Sequence, residues 1–272
     1  MARYPILMAV CGKRRIGKSH KTTEIMRDYV RRGRKVLIFD VTNEYSDKSK
    51  FPDIKAIALK DVPLFAAQTR AEIRRVAPFF DDGRKMTLDD MVNVLNWILS
   101  VYFNGLLLVE DINKYIADTM TKDVMGAMCT LAHQGVDLIM QFQSIGRLTT
   151  KVWQNINVLR MHKNTDSVDR HRGKFEDKYE YLKVAEILVN EEYRTGNVRF
   201  FLHVNFDDEK IIADLPEEKI RKGIEQYMSE NYRTVTQLSE RRDGKGKRIY
   251  SYEAAFKTEV DRIYNNYFRP AA

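Results

Sequence analysis

The chain has 272 residues, 44% apolar and 31% charged, with 46 Lys+Arg against 38 Asp+Glu for a net charge of +8. This profile belongs to a folded globular chain long enough for a sizeable core, and it excludes a disordered tail, a collagen and a coiled-coil rod. Two cysteines, Cys11 and Cys129, exclude a disulfide-stapled secreted scaffold and point to a reducing compartment.

The basic surplus favours a polyanionic partner such as nucleic acid, and a solvated basic surface accounts for it almost as well. Met1-Ala2-Arg3-Tyr4-Pro5 has neither the apolar run nor the small-residue cleavage site of a signal peptide. The longest apolar tract, Trp97 to Val109, is interrupted by Ser100, Asn104 and Gly105 and is too short to span a bilayer. A cytoplasmic protein with no integral membrane segment is expected.

In chain order, apolar runs at Ile6 to Val10, Lys35 to Phe39, Leu106 to Val109, Val136 to Phe142 and Val158 to Met161 read as strands. They are nearly continuous rather than alternating, as strands covered on both faces are. Helices are expected over Ser19 to Arg31, over Thr87 to Tyr102 with Thr87 in the N-cap region, and over Thr121 to His133 before Gly135. Strands alternating with helices define an α/β domain with a mostly parallel sheet.

Beyond this the pattern changes. Tyr179 to Tyr193 reads as a helix, and Asn197 to Val204 with Ile211 to Leu215 reads as a hairpin around Asp207-Asp208. Helices follow near Pro216 to Tyr232 and Tyr250 to Phe268, separated by a basic, Gly-containing mobile loop from Arg241 to Arg248. The expected organisation is a core over 1–165 and a C-terminal α+β extension over 166–272, packed on the core.

The strongest motif is Gly12-Lys13-Arg14-Arg15-Ile16-Gly17-Lys18-Ser19, which fits G-x-x-x-x-G-K-[ST] in full and is followed by His20. Its glycines permit the bends that aim successive N–H groups at phosphate oxygens, and the next helix adds its positive N-terminal end. Lys18 then bridges the β- and γ-phosphates of ATP, and the Ser19 hydroxyl ligates Mg²⁺. Four fixed positions arise by chance on the order of once in a hundred chains of this length, and the flanking strand and helix make the accident rarer.

Such a loop needs a carboxylate to hold the magnesium, and Leu106-Leu107-Leu108-Val109-Glu110-Asp111 ends a buried strand in two. One would hold Mg²⁺, with Glu110 as the metal acid, and the other would polarise the attacking water. The plainer reading is that both cap a helix around Ile112 to Ile116. Asp40 and Glu44-Tyr45 follow the second strand, where chain ends converge on the ligand crevice, although a strand-end Asp bonding its own turn is common. Gln143 ends the run Val136 to Gln143, where an amide can orient the lytic water; a buried amide satisfied within the sheet is the alternative.

In this order the motifs resemble the FtsK/HerA superfamily of P-loop motor ATPases, which includes genome-packaging ATPases of tailless icosahedral viruses and DNA-transfer pumps. The residues that carry the resemblance are Gly12 to Ser19, Asp40 to Tyr45, Glu110-Asp111 and His133 to Ser144, within about residues 5 to 165. The resemblance implies a RecA-like core with the glutamine strand between the P-loop strand and the acidic strand. It also implies a pentameric or hexameric homo-oligomeric ring around DNA, completed by an arginine from the neighbouring subunit, with Arg160 as first candidate and Arg147 as second.

The family usually has Asp then Glu at the acidic strand, and here the order is reversed. The water-activating residue is therefore open among Glu110, Asp111 and Glu44.

No metal-ligand cluster or helix-turn-helix is evident, so DNA contacts are expected from diffuse basic runs at 31–35, 170–174 and 241–248. The function expected is an ATP-driven DNA translocase in viral genome packaging or DNA transfer, in the host cytoplasm or on the virion, with a capsid or portal partner. A nucleoside-type kinase using Asp40 as hydroxyl base, and a nucleotide-binding regulatory switch, are the alternatives.

Overall fold

The computed structural model of the chain describes residues 5–111, 131 and 133–268. The chain divides into two compact units between Leu159 and Arg160, six residues before the boundary expected at 165. The helices expected over Thr121 to His133 and around Ile112 to Ile116 lie outside the described residues apart from Leu131 and His133.

Within the first unit the strands are β1 (Leu7–Cys11), β2 (Lys35–Phe39), β3 (Ile54–Ala56), β4 (Ile73–Val76), β5 (Gly105–Val109) and β6 (Asp137–Phe142). They form a parallel run in the order β3-β4-β2-β5-β6-β1. The glutamine strand β6 thus stands between the P-loop strand β1 and the acidic strand β5, as the family resemblance implies. All residues of β2, β5 and β6 are buried, which explains their unbroken apolar sequence.

β3 and β4 are additions that the sequence did not announce. Each is short, and Ile73-Arg74-Arg75-Val76 carries two arginines in its middle.

Helices α1 (Lys18–Arg31), α2 (Val62–Ala67), α3 (Leu88–Val101) and α4 (Thr150–Asn155) accompany this sheet. α3 begins in a full capping box: the Thr87 hydroxyl accepts the Asp90 N–H at 3.1 Å and the Asp90 carboxylate accepts the Thr87 N–H at 2.9 Å. Met26 of α1 packs on a core that takes alternate residues of the strands, Val36 and Ile38, Leu106 and Leu108, with Ile139 beside them. Gly105 opens β5 where a side chain is impossible, since a Cβ there would lie 2.1 Å from the Tyr102 hydroxyl and 2.8 Å from the Lys35 carbonyl oxygen.

At the N-terminal ends of the strands a buried acid organises several elements at once. Asp137, 2% exposed, accepts hydrogen bonds from the Ile6 N–H at 2.7 Å and the Tyr29 hydroxyl at 2.9 Å, and it pairs with Arg34. Arg34 also donates to the carbonyls of Gly105 and Gly135 at 3.2 and 2.7 Å, so one pair joins α1, β1, β5 and β6.

The two units meet in sequence within strand β7 (Val158–His162). The second unit contains α5 (Arg172–Phe175), α6 (Tyr179–Arg194), β8 (Phe201–Asn205), β9 (Lys210–Ile212), α7 (Glu217–Glu230), α8 (Tyr232–Ser239) and α9 (Tyr252–Tyr267). β8 and β9 form the expected antiparallel hairpin. α6 and α9 both pack on α7, and Arg262 holds Glu180 through two bonds of 3.0 and 2.7 Å.

The 241–248 segment is not the open mobile loop expected from its composition. Arg242 and Arg248 form an antiparallel bridge, and the Asp243 carboxylate accepts the N–H groups of Lys245 and Lys247, both at 2.9 Å. One aspartate in the middle of the basic run closes it into a tight hairpin.

Removing the Asp137 carboxylate leaves the half-buried Arg34 guanidinium uncompensated, so Asp137→Ala should cost about 3 kcal/mol or more of unfolding free energy in urea denaturation. A second expectation concerns β8. Burial, reinforced by the charge of Arg160, lowers His203 from 6.5 to about 4. The folded state therefore keeps His203 neutral while the unfolded chain takes up a proton, so its contribution is full above pH 6.5 and is lost as pH falls toward about 4. His203→Phe should flatten the decline of melting temperature across that window.

Candidate functional site

Because β1, β6, β5 and β2 run parallel and in register, their C-terminal ends deliver Gly12, Gln143, Glu110 and Asp40 to one edge of the sheet. The loop after β1 turns into α1 through Gly17, whose backbone is left-handed (φ 90°, ψ 13°), a conformation that favours glycine. No side chain caps α1, so its first-turn N–H groups are presented to the crevice together with the positive end of the helix dipole.

The Lys18 ammonium donates to the carbonyl oxygens of Gly12 at 2.5 Å and Lys13 at 2.8 Å, drawing the loop around itself. Ile16, 2% exposed, anchors the loop in the core, whereas Arg14 and Arg15 are exposed. Arg15 is left-handed at φ 63°, strain of the kind that collects at binding loops. Ser19 is half-buried in the first turn of α1, and His20 faces outward, 3.3 Å from Glu24. Cys11, just before the loop, is fully buried, and burial pushes its thiol well above the usual range, so it is a packed neutral group.

Farther along the same edge lies a cluster of acids. Glu110 is 3% exposed, accepts a hydrogen bond from the Thr42 hydroxyl, and neighbours Glu44 and Asp40. Burial first, then the contact with Glu44, pushes the Glu110 carboxyl far above the ordinary carboxylate range, while Thr42 acts in the other direction. Burial beside other carboxylates favours the protonated form of Glu110.

Asp40 is fully buried. Its carboxylate accepts the N–H groups of Glu44 at 2.9 Å and Tyr45 at 3.1 Å and pairs with Arg75 at 3.1 Å. Asp40 therefore organises the turn that carries Glu44, the bonding that the plainer of its two sequence readings expects. Asn43, left-handed at φ 60°, accepts a second bond from Arg75 at 2.7 Å.

Asp111 differs from Glu110 in every respect. It is half-exposed, left-handed at φ 40°, and both its carboxylate oxygens accept the Gln143 amide, at 3.0 and 3.1 Å. Gln141, by contrast, is 4% exposed and donates to the Thr22 hydroxyl of α1 at 3.3 Å, a buried amide serving the fold. The structure thus separates the two glutamines of Gln141-Phe142-Gln143 into a structural and a site residue. It also supplies Thr42, Asn43 and Arg75, which sequence reasoning missed. The polar run Val41 to Glu44 was a signal for the first two; nothing local marks Arg75.

The donor set fits magnesium. Ser19 offers a hydroxyl and Glu110 a carboxylate, both hard oxygen ligands. Among the described residues no group of three or more His, Cys, Asp or Glu makes a self-sufficient metal cage. That suits an ion completed by substrate phosphates and water.

The two arginine candidates have opposite environments. Arg160, in the second unit, is 1% exposed with its guanidinium 5.8 Å from the Phe201 ring centre. Arg147, in the turn 145–147 after β6, is exposed. Of the basic run 31–35, Arg31 and Arg32 pair with Asp28 at 3.3 and 2.7 Å, Arg34 clamps Asp137, and Lys35 is buried on the carbonyls of Ala66 and Gln68. Arg172 in the 170–174 run stacks on Tyr179 at 4.4 Å. The hairpin 241–248 keeps its basic side chains exposed.

No protein-family model and no curated protein matches the sequence. The fold is similar to that of the genome-packaging NTPase B204 of Sulfolobus turreted icosahedral virus 2 in complex with AMP. That likeness has a TM-score of 0.55 at 17% identity and covers 78% of this chain and 98% of B204. The same protein in complex with AMPPCP gives a TM-score of 0.54 at 16% identity, covering 78% and 97%. B204, the DNA-packaging ATPase from Sulfolobus turreted icosahedral virus, gives 0.53 at 16% identity, covering 79% and 99%. At these identities the likeness establishes the RecA-like P-loop NTPase fold.

Loss of the charged hydrogen bonds of Lys18 should weaken nucleotide binding by ten- to a hundred-fold. Lys18→Ala, measured with a fluorescent ATP analogue, should show this with an unchanged melting temperature.

Proposed function

We propose that this chain is an ATP-hydrolysing DNA motor of the FtsK/HerA type, acting as a homo-oligomeric ring in viral genome packaging or DNA transfer. The observation that carries the reading is the juxtaposition, on one sheet edge, of the G-x-x-x-x-G-K-S loop after β1, Gln143 after β6 and the carboxylates after β5. The fold shared with a viral genome-packaging NTPase supports it.

In this reading Lys18 and the N–H groups of α1 hold the β- and γ-phosphates of ATP. Ser19 and Glu110 hold Mg²⁺, which supplies charge neutralisation at the phosphates when bound. Asp111, half-exposed and oriented by Gln143, polarises the attacking water; Gln143 holds that carboxylate in place. Glu44, exposed beside Glu110, flanks the same crevice.

Exposure favours Arg147 as the trans arginine: it has the reach for a neighbouring subunit, whereas Arg160 is 1% exposed. The same kind of observation argues against the kinase alternative, since Asp40, its hydroxyl base, is fully buried and tied to Arg75.

The exposed 241–248 hairpin is the best-formed basic surface for DNA. Its charges suit phosphate tracking without base readout. Among the described residues no helix is long and apolar enough to cross a membrane. A host-cytoplasmic or virion-associated motor engaging a capsid or portal protein accords with the packaging reading.

The test is ATP hydrolysis by the purified chain with and without double- and single-stranded DNA, beside Lys18→Ala. Stimulation by DNA, lost in Lys18→Ala and reduced in a Lys245→Glu/Lys247→Glu variant, is expected. A DNA-independent rate at low salt from a monomeric protein would overturn the motor reading.

A further inference from the structure

Across the C-terminal edge of the sheet the polar contacts form a chain. Arg75 of β4 donates to Asp40 and Asn43 of the loop after β2, and Thr42 of that loop donates to Glu110 at the end of β5. The strands involved, β4, β2 and β5, are successive neighbours. Asp40 adds two backbone bonds that close the loop on itself, so the position of the Thr42 hydroxyl is set by Arg75 rather than by local flexibility. Glu44 and Asp40 stand close to Glu110, and Thr42 is an uncharged donor that reaches it.

We infer that Thr42, held in place by Arg75 through Asp40 and Asn43, is a positioning residue that orients the Glu110 carboxylate toward the Mg²⁺ of bound nucleotide. Neither residue touches nucleotide or metal in this account; both act through Glu110. Hydrogen bonds of this outer kind fix the direction of a ligand's lone pairs, and their loss typically lowers metal affinity ten- to a hundred-fold. The inference rests on the reading of Glu110 as the metal acid.

The experiment is Mn²⁺ binding to the full chain with ADP, followed by electron paramagnetic resonance. ADP affinity in EDTA and the melting temperature are measured beside it. Thr42→Val removes the hydroxyl at nearly constant shape and should raise the Mn²⁺ dissociation constant about ten-fold. Metal-free ADP affinity and melting temperature should stay unchanged, and Thr42→Ser should restore Mn²⁺ binding. Arg75→Gln should move Mn²⁺ affinity in the same direction as Thr42→Val.

Wild-type Mn²⁺ affinity retained in Thr42→Val would overturn the inference while leaving Glu110 as the metal acid. Unchanged Mn²⁺ affinity in a Glu110→Gln variant would instead overturn the metal-acid reading, and this inference with it.

Discussion

The neighbouring strands β2 and β5 run out into two carboxylates almost entirely removed from water, Asp40 and Glu110. A buried charge without partners costs several kcal/mol, so donors must be found for each, and they come from outside the strands that carry the acids. Asp40 is met by Arg75 and by the N–H groups of its own turn, and Glu110 by Thr42. Meeting those demands shapes the loop after β2, ties β4 to β2 beyond their backbone ladder, and leaves Glu110 close to Glu44. Much of the edge follows from the cost of burying two acids.

Along the same edge lies the electrostatic opposite of these acids. The uncapped N-terminus of α1, Lys18 and the exposed Arg14 and Arg15 concentrate positive potential on the loop after β1. Asp111 has a left-handed backbone, and its carboxylate accepts the Gln143 amide. Two adjacent acids are thereby given different surroundings, one buried close to other carboxylates and one half-exposed beside an amide.

The second unit spends its charges differently. Pairs such as Arg262 with Glu180 and Lys219 with Glu192 stitch its helices. Arg160 and His203 lie together near Phe201, where burial keeps the histidine neutral. Exposed basic residues also lie on the hairpin closed by Asp243, whose fixed geometry makes them a more defined surface than an open loop would be.

Local pattern was enough for much of the first unit. β2 spans Lys35–Phe39 as read from its unbroken apolar run, α3 starts behind Thr87 as its capping residues dictate, and the phosphate loop follows from glycine spacing between a strand and a helix. These features depend on residues within a few positions of one another. What the sequence left undecided depends on partners far apart: Arg75 meets Asp40 across 35 positions and Thr42 meets Glu110 across 68. β4 is interrupted by arginines and becomes a strand only because β2 and β3 flank it. The same holds for Arg160, whose sequence neighbourhood resembles that of an exposed finger but whose packing removes it from the surface. Periodicity and spacing determined the elements and the phosphate loop. Strand order, which alone brings distant side chains within hydrogen-bonding reach, decided which acid is buried, which is half-exposed and what holds each one.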